Sequence, residues 1–222
     1  MYKLYLIVCY LMFELQIVAA QNFSGGLVLG INASQIDGDN FKGYHKRGGT
    51  LGGYVNYRFS KTFSVQPEIL FEQLGSRSRD DRFTVLGGTA VDLKINSLNI
   101  PLILMFRHPI VMGDNTELDV DWCLGASLGV RTNWRDVHGN SPEINFLRRY
   151  DSRLIAGLDI PLGTYLIING RITYSLLPTL DEELPIPGQI MEEQSGRLRW
   201  YYRYLSLSLR INLIRADRWK YI

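Results

Sequence analysis

Hydrophobic and polar residues alternate along most of the chain, most clearly over 48–75, GGTLGGYVNYRFSKTFSVQPEILFEQLG. Leu51, Gly53, Val55, Tyr57 and Phe59 fall on one face, with Gly52, Tyr54, Asn56 and Arg58 on the other. Beyond a turn near Ser60 and Lys61, Phe63, Val65, Ile69 and Phe71 alternate with Ser64, Gln66, Glu68 and Glu72. A period of two with aromatic and β-branched residues on one side predicts strands. So short a turn makes the two arms antiparallel neighbours. Each arm has the length of about ten residues that a tilted strand needs to cross a bilayer.

The same pattern recurs. It predicts strands over 23–33, 91–107, 118–133, 150–160, 164–176 and 200–213, which with the hairpin makes eight. The strand over 91–107 carries a phase break: Val91, Leu93 and Ile95 are odd-numbered, whereas Leu98, Ile100, Leu102, Leu104 and Phe106 are even. Since a one-residue slip exchanges the faces of a strand, a β-bulge is expected near Asn96 and Ser97. Pro67 and Pro101 each remove a ladder donor and are expected at bulges or rim positions.

The connections sort by length. Those at 34–47, 76–90, 133–149 and 177–199 are long and polar; those near 60–62, 108–116 and 161–163 are short. Alternating long and short connections over eight strands match a transmembrane barrel with four long extracellular loops and short periplasmic turns. The fold class expected is all-β, an eight-stranded antiparallel up-and-down barrel.

Which face meets lipid follows from the polar side. It carries Arg58, Lys94, Arg107, Arg131, Arg153, Arg171 and Arg210 against Glu68, Glu72, Asp92, Asp119, Asp121 and Asp159, spaced by small residues such as Gly26, Gly30, Gly52, Gly125, Gly129, Ser206 and Ser208. Balanced charges separated by glycine and serine suit the interior of an eight-stranded barrel, which is just wide enough for side chains to fill. The apolar face then looks outward, with Tyr57, Phe59, Phe63, Phe106, Tyr174 and Trp200 near strand ends as interface aromatics. The opposite arrangement, a secreted soluble barrel with an apolar ligand inside, is the alternative.

Composition agrees. A chain of 222 residues can be one β domain. Mean hydropathy is −0.05, too low for a helical membrane protein yet compatible with strands that are half polar. The net charge of +2, with acids and bases interspersed, gives no reason to expect nucleic acid. Residues 1–20 read as a cleaved signal peptide: Lys3 is basic, 4–15 is apolar, and Val18-Ala19-Ala20 supplies small residues before Gln21. The barrel domain is then 21–222. Cleavage leaves Cys123 alone, so no internal disulfide is expected.

The segments GLVLGINASQIDGDNFKGYHKRGGTLGGYVNYRFSKTFSVQPEILFEQLGSRS, SLNIPLILMF, GASLGV and AGLDIPLGTYLIINGRITYSL resemble, in order, the PorT-like outer-membrane β-barrel proteins of Bacteroidota. The most specific pieces are Ser64-Val65-Gln66-Pro67-Glu68 with 71–75, and Leu98-Asn99-Ile100-Pro101-Leu102, where Asn99 replaces an expected acid. The resemblance implies an eight-stranded barrel related in architecture to OmpA and OmpX, without an assigned activity in most members. It also implies insertion by the barrel-assembly machinery and a link to protein export through the member for which the family is named.

Catalytic chemistry finds little footing. A serine-type site needs a base within reach of its nucleophile and an orienting acid. His45 with Asp37 or Asp39, and His138 with Ser141 and Asp136, can be drawn, but on loops and without a motif; His108 lies near a short turn. Asp37-Gly38-Asp39-Asn40 opens like a calcium loop and lacks the closing Glu. Glu182, Glu183, Glu192 and Glu193 read as a solvated acidic loop, and Glu68 with Glu72 as partners of lumen arginines rather than an acid–base pair. No catalytic, cofactor-binding or metal-binding residue is assigned. The expected protein is a non-enzymatic monomer in outer-membrane lipid, with an extracellular or periplasmic protein partner. A narrow porin-like channel and an outer-membrane lipid-modifying enzyme are the other readings.

Overall fold

The computed structural model describes residues 22–37, 43–77, 92–112, 116–137, 147–183 and 197–214. They form nine antiparallel strands: β1 (Phe23–Asp37), β2 (Lys46–Arg58), β3 (Phe63–Arg77), β4 (Asp92–Met112), β5 (Thr116–Asp136), β6 (Tyr150–Leu162), β7 (Leu166–Ser175), β8 (Leu180–Glu183) and β9 (Arg197–Ile214). β1 to β7 pair in sequence order, and β9 pairs with both β7 and β1, closing a barrel of eight. The short β8 pairs only with the first residues of β9, as a flap above the barrel where a plain loop was expected. Closure leaves the eight barrel strands without a free edge, the condition for a sheet to stand in hydrocarbon.

The turns β2–β3, β4–β5 and β6–β7 are three or four residues long, and the connections at the other end are longer. Gly163, at φ 74°, supplies the left-handed residue of the tight β6–β7 turn.

The outer face is apolar. Leu27, Leu29 and Ile31 of β1, Ile100, Leu102 and Leu104 of β4, Leu124 and Leu128 of β5, and Leu205 and Leu207 of β9 all remain exposed, Leu128 at 67%. Toward the short-turn end the belt finishes in aromatic rings. Phe23 lies against Tyr57 at 4.8 Å, and Phe63 against both Phe59 and Phe106, at 6.3 and 5.3 Å. Tyr174 stacks on Tyr201 near the other rim, at 6.2 Å. Trp200 departs from the expected girdle: it is 8% exposed and faces the lumen.

The phase break has a different origin from the one expected. β4 never flips: Leu93, Ile95, Ser97, Asn99, Ile103 and Met105 are all buried. Leu93 and Ile95 instead join an apolar cluster inside the long-loop mouth with Ile36, Leu74, Leu147, Trp200, Tyr202 and Tyr204. A bulge does interrupt the ladder at Asn96 and Ser97, but the extra residue is on β5, because Asn96 pairs with Asn133 and Ser97 with Arg131. Thr132 is left over, and its hydroxyl donates to the Asn96 carbonyl at 3.2 Å. Trp134 thereby turns in against the apolar cluster, while Asn133 and Arg135 face outward. Strict alternation from Arg131 would do the reverse.

The two prolines lie in the middle of their strands, not at rims, and neither makes a bulge. The β3–β4 ladder instead skips from Pro67–Leu102 to Leu70–Asn99. Pro67 faces out and Pro101 in, so the lost donors weaken the seam without deflecting it.

Candidate functional site

Among the described residues, paired charged side chains concentrate in the lumen, where alternation aims one side of every strand at the others. Glu68 on β3 accepts two hydrogen bonds from Arg171 on β7, at 2.6 and 2.7 Å, and one from Gln66 at 2.5 Å. The Arg210 guanidinium of β9 lies 3.4 Å from the same carboxylate and donates to Asp159 of β6. Asp159 also accepts from Asn169, whose carbonyl receives the Ser208 hydroxyl at 3.1 Å.

A second layer lies nearer the long-loop mouth. Arg153 donates to Glu72 at 2.8 Å, to Asp151 at 3.1 Å, to the Tyr204 hydroxyl at 3.1 Å and to Ser97 at 3.0 Å. The Tyr204 hydroxyl in turn donates to Glu72 at 3.1 Å. Arg131 donates to Asp151 and to Thr179. Guanidinium groups lie over tyrosine rings at each level, Arg210 over Tyr54, Arg153 over Tyr204 and Arg131 over Tyr202, at 5.3–5.6 Å. At the short-turn end Arg107 binds Asp121 through two nitrogens, at 2.7 and 2.9 Å. At the other rim Lys46 pairs with Asp92.

Most of the expected lumen charges are therefore inside and matched. Lys94 and Asp119 are not: both are exposed, Lys94 because β4 keeps its phase to the end. Asp151 and Lys46 belong to the network and were missed. Lys46 has the parity of Asn56 but precedes the strand expected from 48, whereas Asp151 has the parity of Arg153 inside the strand expected over 150–160. Small residues make room for the guanidinium groups: a Cβ on Gly129 would press on Asp151 and on the Arg153 guanidinium.

This arrangement locks rather than reacts. Arginine holds its proton across the working range, so it cannot serve as base or acid. Glu68 and Glu72 are each held by arginine, the pairing expected of them. The Cys123 thiol is buried among Ile103, Met105 and Ile155. Asp37 accepts from Gln35 and Arg203, not from His45. His108 is exposed and stacked on Phe106. His138, Ser141, Asp39 and 184–196 lie outside the described residues. Among the described residues no group of three or more His, Cys, Asp or Glu side chains is placed to hold a metal ion.

The described side chains pack the lumen closely between the two layers. Between the two layers, bounded by Asn99, Glu72, Arg171 and Tyr204, a cavity of about 10 Å³ remains. That is about the room of a single water molecule. It is far too small for the apolar ligand of a soluble barrel.

Comparison with known proteins gives a family and a set of folds. No curated protein sequence matches. Among solved structures, the attachment invasion locus protein Ail of Yersinia pestis is similar at 14% identity and a TM-score of 0.46, with 86% of this chain and 98% of that one covered. Neisserial surface protein A is similar at 12% identity and a TM-score of 0.47, covering 86% and 96%. OprG of Pseudomonas aeruginosa is similar at 12% identity and a TM-score of 0.38, covering 86% and 92%. The family model described as "outer membrane protein beta-barrel domain" matches residues 19–181, and the chain belongs to that family.

Proposed function

We propose that the protein is a closed, non-conducting and non-enzymatic outer-membrane barrel whose work is done at its ends, by binding a protein partner at the long loops or at the short turns. The observation that carries this reading is the filled lumen. Arg131, Arg153, Arg171 and Arg210 cross it from four different strands and are matched by Glu68, Glu72, Asp151 and Asp159. A lumen held by ion pairs in low dielectric is rigid, because breaking one pair strands a buried charge. Ion pairs that span the lumen at two levels leave little room for an ion, which argues against the porin reading. Its carboxylates are each committed to an arginine, which argues against acid–base chemistry in the lumen.

In this reading residues 1–20 direct export and are removed before Gln21, and the mature barrel is inserted into outer-membrane lipid as a monomer by the assembly machinery. The resemblance to PorT-like proteins makes a component of the export apparatus the first partner to test.

Planar-bilayer recording of the purified protein tests the core of the proposal. A silent baseline is expected; reproducible discrete conductance steps would refute it. Intact-mass measurement on envelope-extracted protein tests the leader, with a mature chain starting at Gln21 expected. Comparison of secreted proteins between a deletion strain and its parent tests the export link, which an unchanged profile would remove.

A further inference from the structure

On the outer face of β2 to β5, the apolar belt stops abruptly toward the long-loop end. Its last members, Phe71, Leu98 and Val130, are register partners in one row. The next outward row is Gln73, Asn96 and Asn133, also register partners. The row beyond is basic: Lys94 of β4 lies directly opposite Arg135 of β5. Arg47 of β2 joins them around a recess of about 400 Å³ that the amide side chains also line.

Two features set this patch apart from an ordinary solvated surface. Like charges directly opposite each other across a ladder repel, and here they do so at the edge of a low-dielectric belt, where repulsion is stronger than in water. The β5 bulge is what places Arg135 there, since regular alternation would send it into the lumen. Nor is the charge neutralised from within: among the described residues no carboxylate pairs with Arg47, Lys94 or Arg135. Two other bases near this rim are matched, Lys46 by Asp92 and Arg203 by Asp37, with Arg203 also over the Tyr44 ring.

We propose that Arg47, Lys94 and Arg135, with the amides of Gln73, Asn96 and Asn133, bind the phosphate of an anionic lipid headgroup in the outer leaflet. Guanidinium and ammonium groups suit a phosphate through charge-assisted hydrogen bonds. A lipid, rather than a free anion, is favoured because the cradle continues without a break into Leu98, Ile100 and Leu102, against which acyl chains lie. Long loops face outward in barrels of this kind, which places the row in the outer leaflet.

Native mass spectrometry of the full-length protein, titrated with dimyristoyl phosphatidylglycerol or dimyristoyl phosphatidylcholine, tests this directly. The wild type is expected to retain phosphatidylglycerol in preference to phosphatidylcholine. Lys94→Gln/Arg135→Gln should weaken phosphatidylglycerol binding about tenfold or more. Lys61→Gln/Arg203→Gln, the same change of charge elsewhere, should not. Lys94→Arg should bind as the wild type does. Faster gel migration of every unboiled variant verifies that its barrel is folded. Equal retention of the two lipids by the wild type, or equal losses in the two double variants, would overturn the proposal. Displacement of the lipid by excess inorganic phosphate would overturn the lipid assignment in favour of a soluble anion. Neither result bears on conductance, so the proposal above stands or falls separately.

Discussion

Arg153 of β6 and Glu72 of β3 meet in the middle of the lumen, with guanidinium nitrogen and carboxylate oxygen 2.8 Å apart, and neither side chain is more than 3% exposed. The same guanidinium holds Asp151, Tyr204 and Ser97, so one residue ties β6 to β3, β9 and β4. Replacing it with leucine leaves Glu72 without its arginine and Asp151 with Arg131 alone. Arg153→Leu should lose about 3–5 kcal/mol, read as a lower temperature at which the fast, unboiled gel band disappears. Glu72→Leu in the same chain should restore part of the loss; a double variant less stable than the single one would count against the pairing. Arg171→Leu should behave similarly through Glu68.

Gly129 gives a prediction with an internal control. A methyl group there meets Asp151 and Arg153, whereas one at Gly170 on the outer face meets nothing within 4 Å. Gly129→Ala should cost about 1–3 kcal/mol through overpacking of the ion-pair layer. Gly170→Ala should stay within about 0.5 kcal/mol of the wild type. Chemical-denaturant midpoints in detergent micelles compare the two, and equal effects would mean that the inner layer has slack.

The bulge makes a prediction about deletions. Removing Thr132 leaves Arg131 facing in, Asn133 out, Trp134 in and Arg135 out, at the cost of one hydrogen bond of about 1 kcal/mol. Removing Leu128 instead shifts the faces of everything on one side of it. The first deletion should give a heat-modifiable barrel and the second should not. With Cys9 and Cys123 changed to serine, Arg135→Cys should remain reactive to a membrane-impermeant maleimide in the Thr132 deletion.

A last expectation concerns the barrel as a whole. Extracted without boiling, the protein should run faster on an SDS gel than after boiling, because a closed ladder resists the detergent. Unchanged mobility in a protein soluble without detergent would invert the assignment of faces.

The sequence by itself determined the strands, their antiparallel order and the closed barrel, because a period of two is a local property that survives without knowledge of any partner. It also placed Glu68, Glu72, Asp121, Asp159, Arg131, Arg153, Arg171 and Arg210 in the lumen, since parity within a strand carries that information. Only the tertiary structure decided which charge meets which, because pairing across a barrel depends on the stagger between strands distant in the chain. It alone showed that Leu93, Ile95 and Trp200 turn inward: hydropathy marks them as apolar but cannot tell a lipid-facing residue from one filling the mouth of the lumen. It alone placed the extra residue of the bulge on β5, since the apolar residues at the start of β4 fill the mouth of the lumen and mark no shift of phase there. That single extra residue turns Arg135 outward, directly opposite Lys94.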